Sequence, residues 1–279
     1  MLALAENQPA RTAPSGCSGP LPQKRHRDRI GNLLRMDQPA DTNASIWQSS
    51  DIAQTWAAEA AARERNHGAQ WRFMADLLPF SEHDAFTFLD LGAGTGNLSR
   101  AILERHPRST AVLADFSDQM MSAAEGEMKP FAGRYSYIKF DMSSGEWPAD
   151  IPAQLDAIVA SLCIHHLPDE RKQGLFREIF EHLVPGGWSV NYDPVRPEDP
   201  VVRSVWQRVG DRYDPAMARK RLHPTPEERA RHENHLRHMI PLTRQLGYLQ
   251  AAGFEGIDVY WKQLEWVVYA GCRPADVAA

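Results

Sequence analysis

Long apolar runs are absent from this chain, and so is any excess of basic charge. No stretch approaches the roughly 18 consecutive apolar residues of a membrane span, so no membrane partner is expected. Acidic residues outnumber basic ones, 36 to 31, and the formal net charge of -5 argues against a dedicated nucleic-acid binder. The opening MLALAENQPA lacks a basic n-region, so a secretory leader is not expected. Cysteine is scarce: Cys17, Cys163 and Cys272 are odd in number and far apart. That excludes a disulfide framework and zinc-knuckle spacing, and it reads as free thiols in a reducing cytoplasm. Two nucleotide-binding signatures are missing as well. In FLDLGAGTGNLSR (Phe88–Arg100) the third glycine comes one position too soon for the dinucleotide fingerprint, and no Lys-Ser/Thr pair follows to make a P-loop.

What is present falls into two compositional regimes. Residues 1–44 are rich in Pro, Gly and Ser, carry a short basic run at Lys24–Arg29 and show no apolar periodicity, which predicts a disordered extension. Residues 45–279 read as a single α/β domain. Its first part, 45–80, is an Ala-rich helical cap with Ser50 or Asp51 as N-cap, Gly68 as a break between two helices and Pro79 as the stop. Strands and helices then alternate: AFTFLDL, NLSRAILERH, TAVLADF, SDQMMSAAEGEM capped by Ser117, YSYIKFDM, LDAIVASL, DERKQGLFREIFEHL ending at PGG, and GWSVNYD. Residues 197–253 break that rhythm with polar, charged helices, read as a lid that sets substrate choice. IDVYWKQ and EWVVYAGCR close the chain, so near in sequence that only an antiparallel hairpin joins them.

The acids sit where a parallel sheet binds ligands, at the carboxyl ends of its strands. Asp90 precedes the glycine turn of Gly92, Ala93, Gly94 and Gly96, where a carboxylate would repel a pyrophosphate but attract an ammonium. The glycines permit unusual backbone angles and leave no Cβ between loop and ligand. Asp115 ends the second strand, placed to accept from ribose hydroxyls, with Phe116 and Met120 after it to cover an adenine face. Asp141 and Met142 end the third strand, and Ser161 and Leu162 end the fourth beside the glycine turn.

Taken in order, these segments resemble the class I S-adenosylmethionine-dependent methyltransferases of the type 11/12/25 kind. FLDLGAGTGNLS is similar to the first motif of that family, VLADFSDQMM to the second, KFDMSSGEWP to the third and LDAIVASLCIHHLPD to the fourth. The resemblance spans about residues 50–275. It implies a Rossmann-like seven-stranded sheet of order 3-2-1-4-5-7-6 with strand seven antiparallel, and S-adenosylmethionine as cofactor. It also implies that Gly92, Ala93 and Gly94 line the methionine part, Asp115 the ribose, and Asp141 with Met142 the adenine.

Methyl transfer is an in-line displacement from an activated cofactor, so the protein mainly positions the acceptor and excludes water. A base is needed only for acceptors that carry a proton at neutral pH. His165 and His166 after strand four, and Asp193 after strand five, are the candidates, each alternatively a brace or a turn cap. His232, His235 and His238 with Glu233 could gather metal ligands or line a solvent-facing helix; the solvated helix is preferred and no metal is expected. Arg219, Lys220 and Arg221 could draw in an anion. Trp47, Trp56, Tyr213 and Trp261 could wall a pocket, and Arg63 or Arg65 could reach the cofactor carboxylate. The leading expectation is methylation of O, N or S on a small metabolite. The alternatives are an RNA-modifying enzyme and a non-catalytic S-adenosylmethionine-binding protein. The sequence is silent on oligomeric state.

Overall fold

The structure is a computed structural model and describes residues 60–215, 218, 219, 224, 225, 229, 233 and 236–276. The expectations for the 1–44 extension, Trp47, Trp56, the Ser50 or Asp51 cap, the Arg63 side chain, Lys220, Arg221, His232 and His235 lie outside the described residues.

Alternation along the strands decides the layers. On β1 (Thr87–Leu91) Phe88 joins one buried cluster while Leu89 and Leu91 join another. β2 (Thr110–Asp115) and β4 (Leu155–Ser161) divide the same way, Leu113 and Val159 going with Phe88, and Val112, Ile158 and Ala160 with Leu89. Strands apolar on both faces must be covered on both. The Phe88 side is covered by α1 (Ala60–Leu77), α2 (Asn97–Arg105) and α3 (Asp118–Met128), through Trp71, Met74, Leu98, Ile102, Ala124 and Met128. The Leu89 side is covered by α4 (Asp169–His182), through Leu175, Phe176 and Ile179.

β3 (Tyr135–Lys139), β5 (Leu183–Pro194), β6 (Glu255–Gln263) and β7 (Trp266–Cys272) complete a seven-stranded sheet of order β3-β2-β1-β4-β5-β7-β6. The first five strands pair in parallel, and β7 runs antiparallel to both β5 and β6. The expected order and the reversed seventh strand are therefore both present. Ser117 caps α3 as expected, its hydroxyl accepting from the Met120 amide at 3.3 Å.

Three local expectations are corrected. Gly68 does not break a helix: α1 runs through it. A glycine inside a helix costs about 1 kcal/mol relative to alanine, but here its bare face is used. The Glu64 carboxylate lies across Gly68, where a Cβ would meet Oε1 at 2.2 Å, and accepts from Arg72 two turns on at 2.6 Å. The fifth strand begins at Leu183 rather than Gly187, so the PGG run is a kink inside β5 and not the end of a helix. A Cβ on Gly187 would sit 2.8 Å from the Val184 carbonyl oxygen, and the register with β4 shifts there. Finally, α6 (Leu242–Ala252) is part of the sheet's covering layer rather than a lid. Its Leu249 is buried in the Leu89-side cluster and its Tyr248 hydroxyl donates to Asp169 of α4 at 2.7 Å. After β5 comes α5 (Pro200–Tyr213), which fully buries no residue, although its Trp206 packs partly buried against the Leu89-side cluster with Lys262 Nζ 4.1 Å above its ring. Tyr213 is 75% exposed there.

Candidate active site

The glycine turn between β1 and α2 is held mainly through its backbone amides. The amides of Gly92 and Ala93 both donate to the Ala114 carbonyl on β2, at 2.8 and 3.1 Å. Gly92, Gly94 and Gly96 have φ of 64, 54 and 76°, angles that side chains rarely adopt. Their bare faces serve different ends. A Cβ on Gly92 would lie 2.6 Å from Cys163 Cβ, and one on Gly96 would lie 2.8 Å from Met128 Sδ. At those two positions the missing Cβ makes room for protein, which narrows the expectation that all three face a ligand. Gly94 alone opens onto space, its nearest neighbour being the Gly92 oxygen at 4.0 Å.

Two buried carboxylates flank that turn. Asp90 accepts from the Ser99 hydroxyl at 2.7 Å, and burial, opposed by that bond, pushes its carboxyl up to about 7. Asp115 accepts from the Gly94 amide and the Ser117 amide, both at 2.8 Å, and burial raises its carboxyl too. Asp115 thus ties the open glycine of the turn to the end of β2. Met120 is buried and Phe116 is half-buried behind it. On the next strand end Asp141 is exposed and accepts from the Ser143 amide at 2.9 Å, while Met142 is buried, its methyl near Gly92. S-adenosylmethionine fits this donor set. Its ammonium and sulfonium would be matched by desolvated carboxylates, and its ribose diol by a hydrogen-bond acceptor.

The other half of the edge is built from side chains. Ser161 ends β4, its hydroxyl accepting from the Trp71 indole of α1 at 2.8 Å. Leu162 has φ of 59°, a strained angle for leucine, and its amide donates to the Tyr192 carbonyl of β5 at 2.8 Å. Cys163 follows, its thiol donating to the Leu91 carbonyl at 3.0 Å and kept protonated by burial. The turn Ile164–His166 then brings His165 against β5. Its Nδ1 meets Asp193 Oδ1 at 2.7 Å and its amide donates to Asp193 Oδ2 at 3.1 Å. Both residues are buried, and desolvation pushes the Asp193 carboxyl up to about 7 against the pull of Asn191, His166 and Lys172. The His166 ring lies beside that of His165, centroids 3.9 Å apart. The three candidate catalytic residues are therefore one cluster.

Several members of this cluster went unanticipated. Asn191 Nδ2 donates to the Tyr269 hydroxyl at 2.7 Å, which donates to Gln245 Oε1 at 2.6 Å, a buried chain leading from Asp193 to α6. Lys172 is fully buried on α4. Its signal was in the sequence: it lies three and seven residues before Leu175 and Ile179, on the apolar stripe of its helix. On the opposite face of β5, His67 Nδ1 meets the Tyr192 hydroxyl at 2.9 Å, and Trp261 packs its ring 6.1 Å from that of Tyr192. Arg65 and Arg219 are exposed. Among the described residues, no group of three or more His, Cys, Asp or Glu is placed to hold a metal ion. No helix there is long and apolar enough to cross a membrane.

Comparison with known proteins agrees with this fold. Residues 89–189 match a methyltransferase domain family. The chain is 27% identical over 191 residues to trans-aconitate 2-methyltransferase of Azoarcus sp. (strain BH72), covering 68% of this chain and 70% of that one. In fold it is similar to an O-methyltransferase family protein from Burkholderia thailandensis, with a TM-score of 0.62 at 18% identity, over 89% of this chain and 68% of that one. It is also similar to human N-acetylserotonin methyltransferase in complex with S-adenosylmethionine, with a TM-score of 0.58 at 15% identity, over 83% of this chain and 59% of that one. The sheet order with its reversed seventh strand, the glycine turn with its two acids and the matched family lead to one conclusion: residues 89–189 are a methyltransferase domain, carried on the class I S-adenosylmethionine-dependent methyltransferase fold.

Proposed function

We propose that this enzyme methylates a hydroxyl group of a small molecule, with His165 as general base and Asp193 as the group that orients it. The observation that carries this reading is the buried 2.7 Å contact between His165 Nδ1 and Asp193 Oδ1, beside the glycine turn. A hydroxyl acceptor carries a proton at neutral pH, and a histidine whose Nδ1 is held by a carboxylate presents Nε2 as the basic atom. S-adenosylmethionine supplies an electrophilic methyl on a sulfonium. Within the chain, Asp115 and Gly94 hold the ribose side, Asp90 favours the ammonium side, and Asp141 with Met142 frames the adenine. His165 Nε2 takes the acceptor's proton, and Asp193 stabilises the imidazolium that results. The relatives named for trans-aconitate and N-acetylserotonin support a small acceptor.

An acceptor that is already anionic needs no base, and the Azoarcus relative favours including trans-aconitate in any screen. The test is release of S-adenosylhomocysteine across a panel of hydroxylated aromatics, hydroxy acids, amines, thiols and trans-aconitate. With the preferred acceptor, His165→Ala should lower kcat by about 10²–10⁴-fold while leaving cofactor affinity within about threefold. A His165→Ala enzyme that keeps full turnover on its best acceptor would rule out the base.

A further inference from the structure

Lys172 is a cation with no exposed surface. Burying an ammonium costs several kcal/mol unless its donors are all used. Its Nζ donates to the Leu167 carbonyl at 2.5 Å, the His238 carbonyl at 2.5 Å and the His165 carbonyl at 3.3 Å, which matches the three donors of an ammonium. Two of these acceptors lie in the turn that carries His165. The third ends the segment between α5 and α6, where Met239 and Ile240 are buried and the Ile240 carbonyl accepts from the Arg196 amide at 3.2 Å, just past β5. The residue before it works alike: Arg171 Nε donates to the Met142 carbonyl at 2.7 Å while its guanidinium pairs with Glu178. The first turn of α4 therefore reaches the strand-three loop through Arg171, and the strand-four turn and the 236–240 segment through Lys172.

We propose that Lys172 is a positioning residue that couples the His165 turn to the 236–240 segment, so that the two segments hold their working arrangement together or lose it together. This rests on the reading of His165 as the residue that meets the acceptor. The charges facing the ammonium are Asp193 of β5 and Asp169 of α4, both favouring the cation against the desolvation that lowers it to about 8. Asp193 is faced in turn by His165 and His166 of the turn, with Tyr269 of β7 and Cys163 nearby.

The test uses the full chain, labelled for histidine-ring nuclear magnetic resonance and amide hydrogen exchange. In Lys172→Met the His165–Asp193 titration should move up by about half a pH unit or more, because removing a nearby positive charge raises the pKa of its neighbours. Amides 164–167 and 236–240 should exchange faster together while 92–96 keep their wild-type rates. Unchanged titration with uniformly faster exchange, as a plain packing residue would give, overturns the coupling. So does faster exchange in one segment only. Should Lys172→Met fail to fold, the wild-type chain carries the same test. Titrating Lys172 near pH 8 must perturb both the His165 ring and the 236–240 amides, and silence at either overturns the proposal. Turnover is not the readout, so a fully active His165→Ala would remove the assigned base while leaving this result to stand or fall alone.

Discussion

The two halves of the ligand edge are built from different materials. Around β1 and β2 the site is backbone: a turn at positive φ, two amides on the Ala114 carbonyl and a carboxylate that grips the turn itself. Around β4 and β5 it is a web of buried side chains: His165, Asp193, Asn191, Tyr269, Gln245 and Lys172. A backbone site can be specified by a few contiguous residues. A side-chain web draws its members from five elements, most of them far apart in sequence, and each can be replaced separately. On the proposed reading, the first half suits a cofactor that never changes and the second an acceptor that must be chosen.

The sharpest way to break this comparison is within the first half. Gly92→Ala would force a Cβ to 2.6 Å from Cys163 Cβ at a left-handed φ, and should cost about 2–5 kcal/mol of stability with loss of cofactor binding. Melting temperature and calorimetry check it, and a Gly92→Ala enzyme that binds normally would show that the turn is more pliable than described.

The next effect concerns pH. The folded Asp90 carboxyl, at about 7, lies above its ordinary 3.8 because it is desolvated. Its protonated form therefore favours folding. That contribution is fully present below about 3.8 and is lost as pH rises through about 7. Asp90→Asn removes the titration, so its melting temperature should fall less than that of the wild type between pH 4 and pH 8. The difference should be on the order of 1–3 kcal/mol. Parallel pH curves for the two proteins would contradict the desolvation of Asp90.

The smallest effect is Gly94→Ala. The left-handed φ should cost about 1–2 kcal/mol, but the Cβ enters open space, so the fold should survive. Cofactor affinity should fall more than stability does. If stability and affinity fell as far as in Gly92→Ala, the two glycines would have the same role.

The same division explains what the sequence could reveal. The sheet order and the reversed seventh strand were legible only through the resemblance carried by the ordered motifs, whereas the closing hairpin followed from two strands too near in sequence to join otherwise, and Asp90 and Asp115 were visible as acids beside a glycine turn and at a strand end. The glycines were legible as a turn, but not the opposite uses of their bare faces, since Cys163 and Met128 arrive from other elements. Gly68 misled because helix propensity carries no knowledge of a Glu64 side chain lying over it. His165, His166 and Asp193 were found as types near strand ends, yet their pairing depends on the β4–β5 register, which sets Ser161 opposite Tyr192. Lys172 was visible only as a charge on an apolar stripe, and its three carbonyl partners come from the tertiary fold.

One measurement bears most directly on the backbone-built half: calorimetric titration of the wild-type chain and of Asp115→Ala with S-adenosylmethionine, S-adenosylhomocysteine and NADH. The wild type should bind the first two and not the third, and Asp115→Ala should bind them about 1–3 kcal/mol more weakly, since charge-assisted hydrogen bonds are lost. Binding of NADH alone, or unchanged affinity in Asp115→Ala, would contradict the account of the edge formed by β1 and β2.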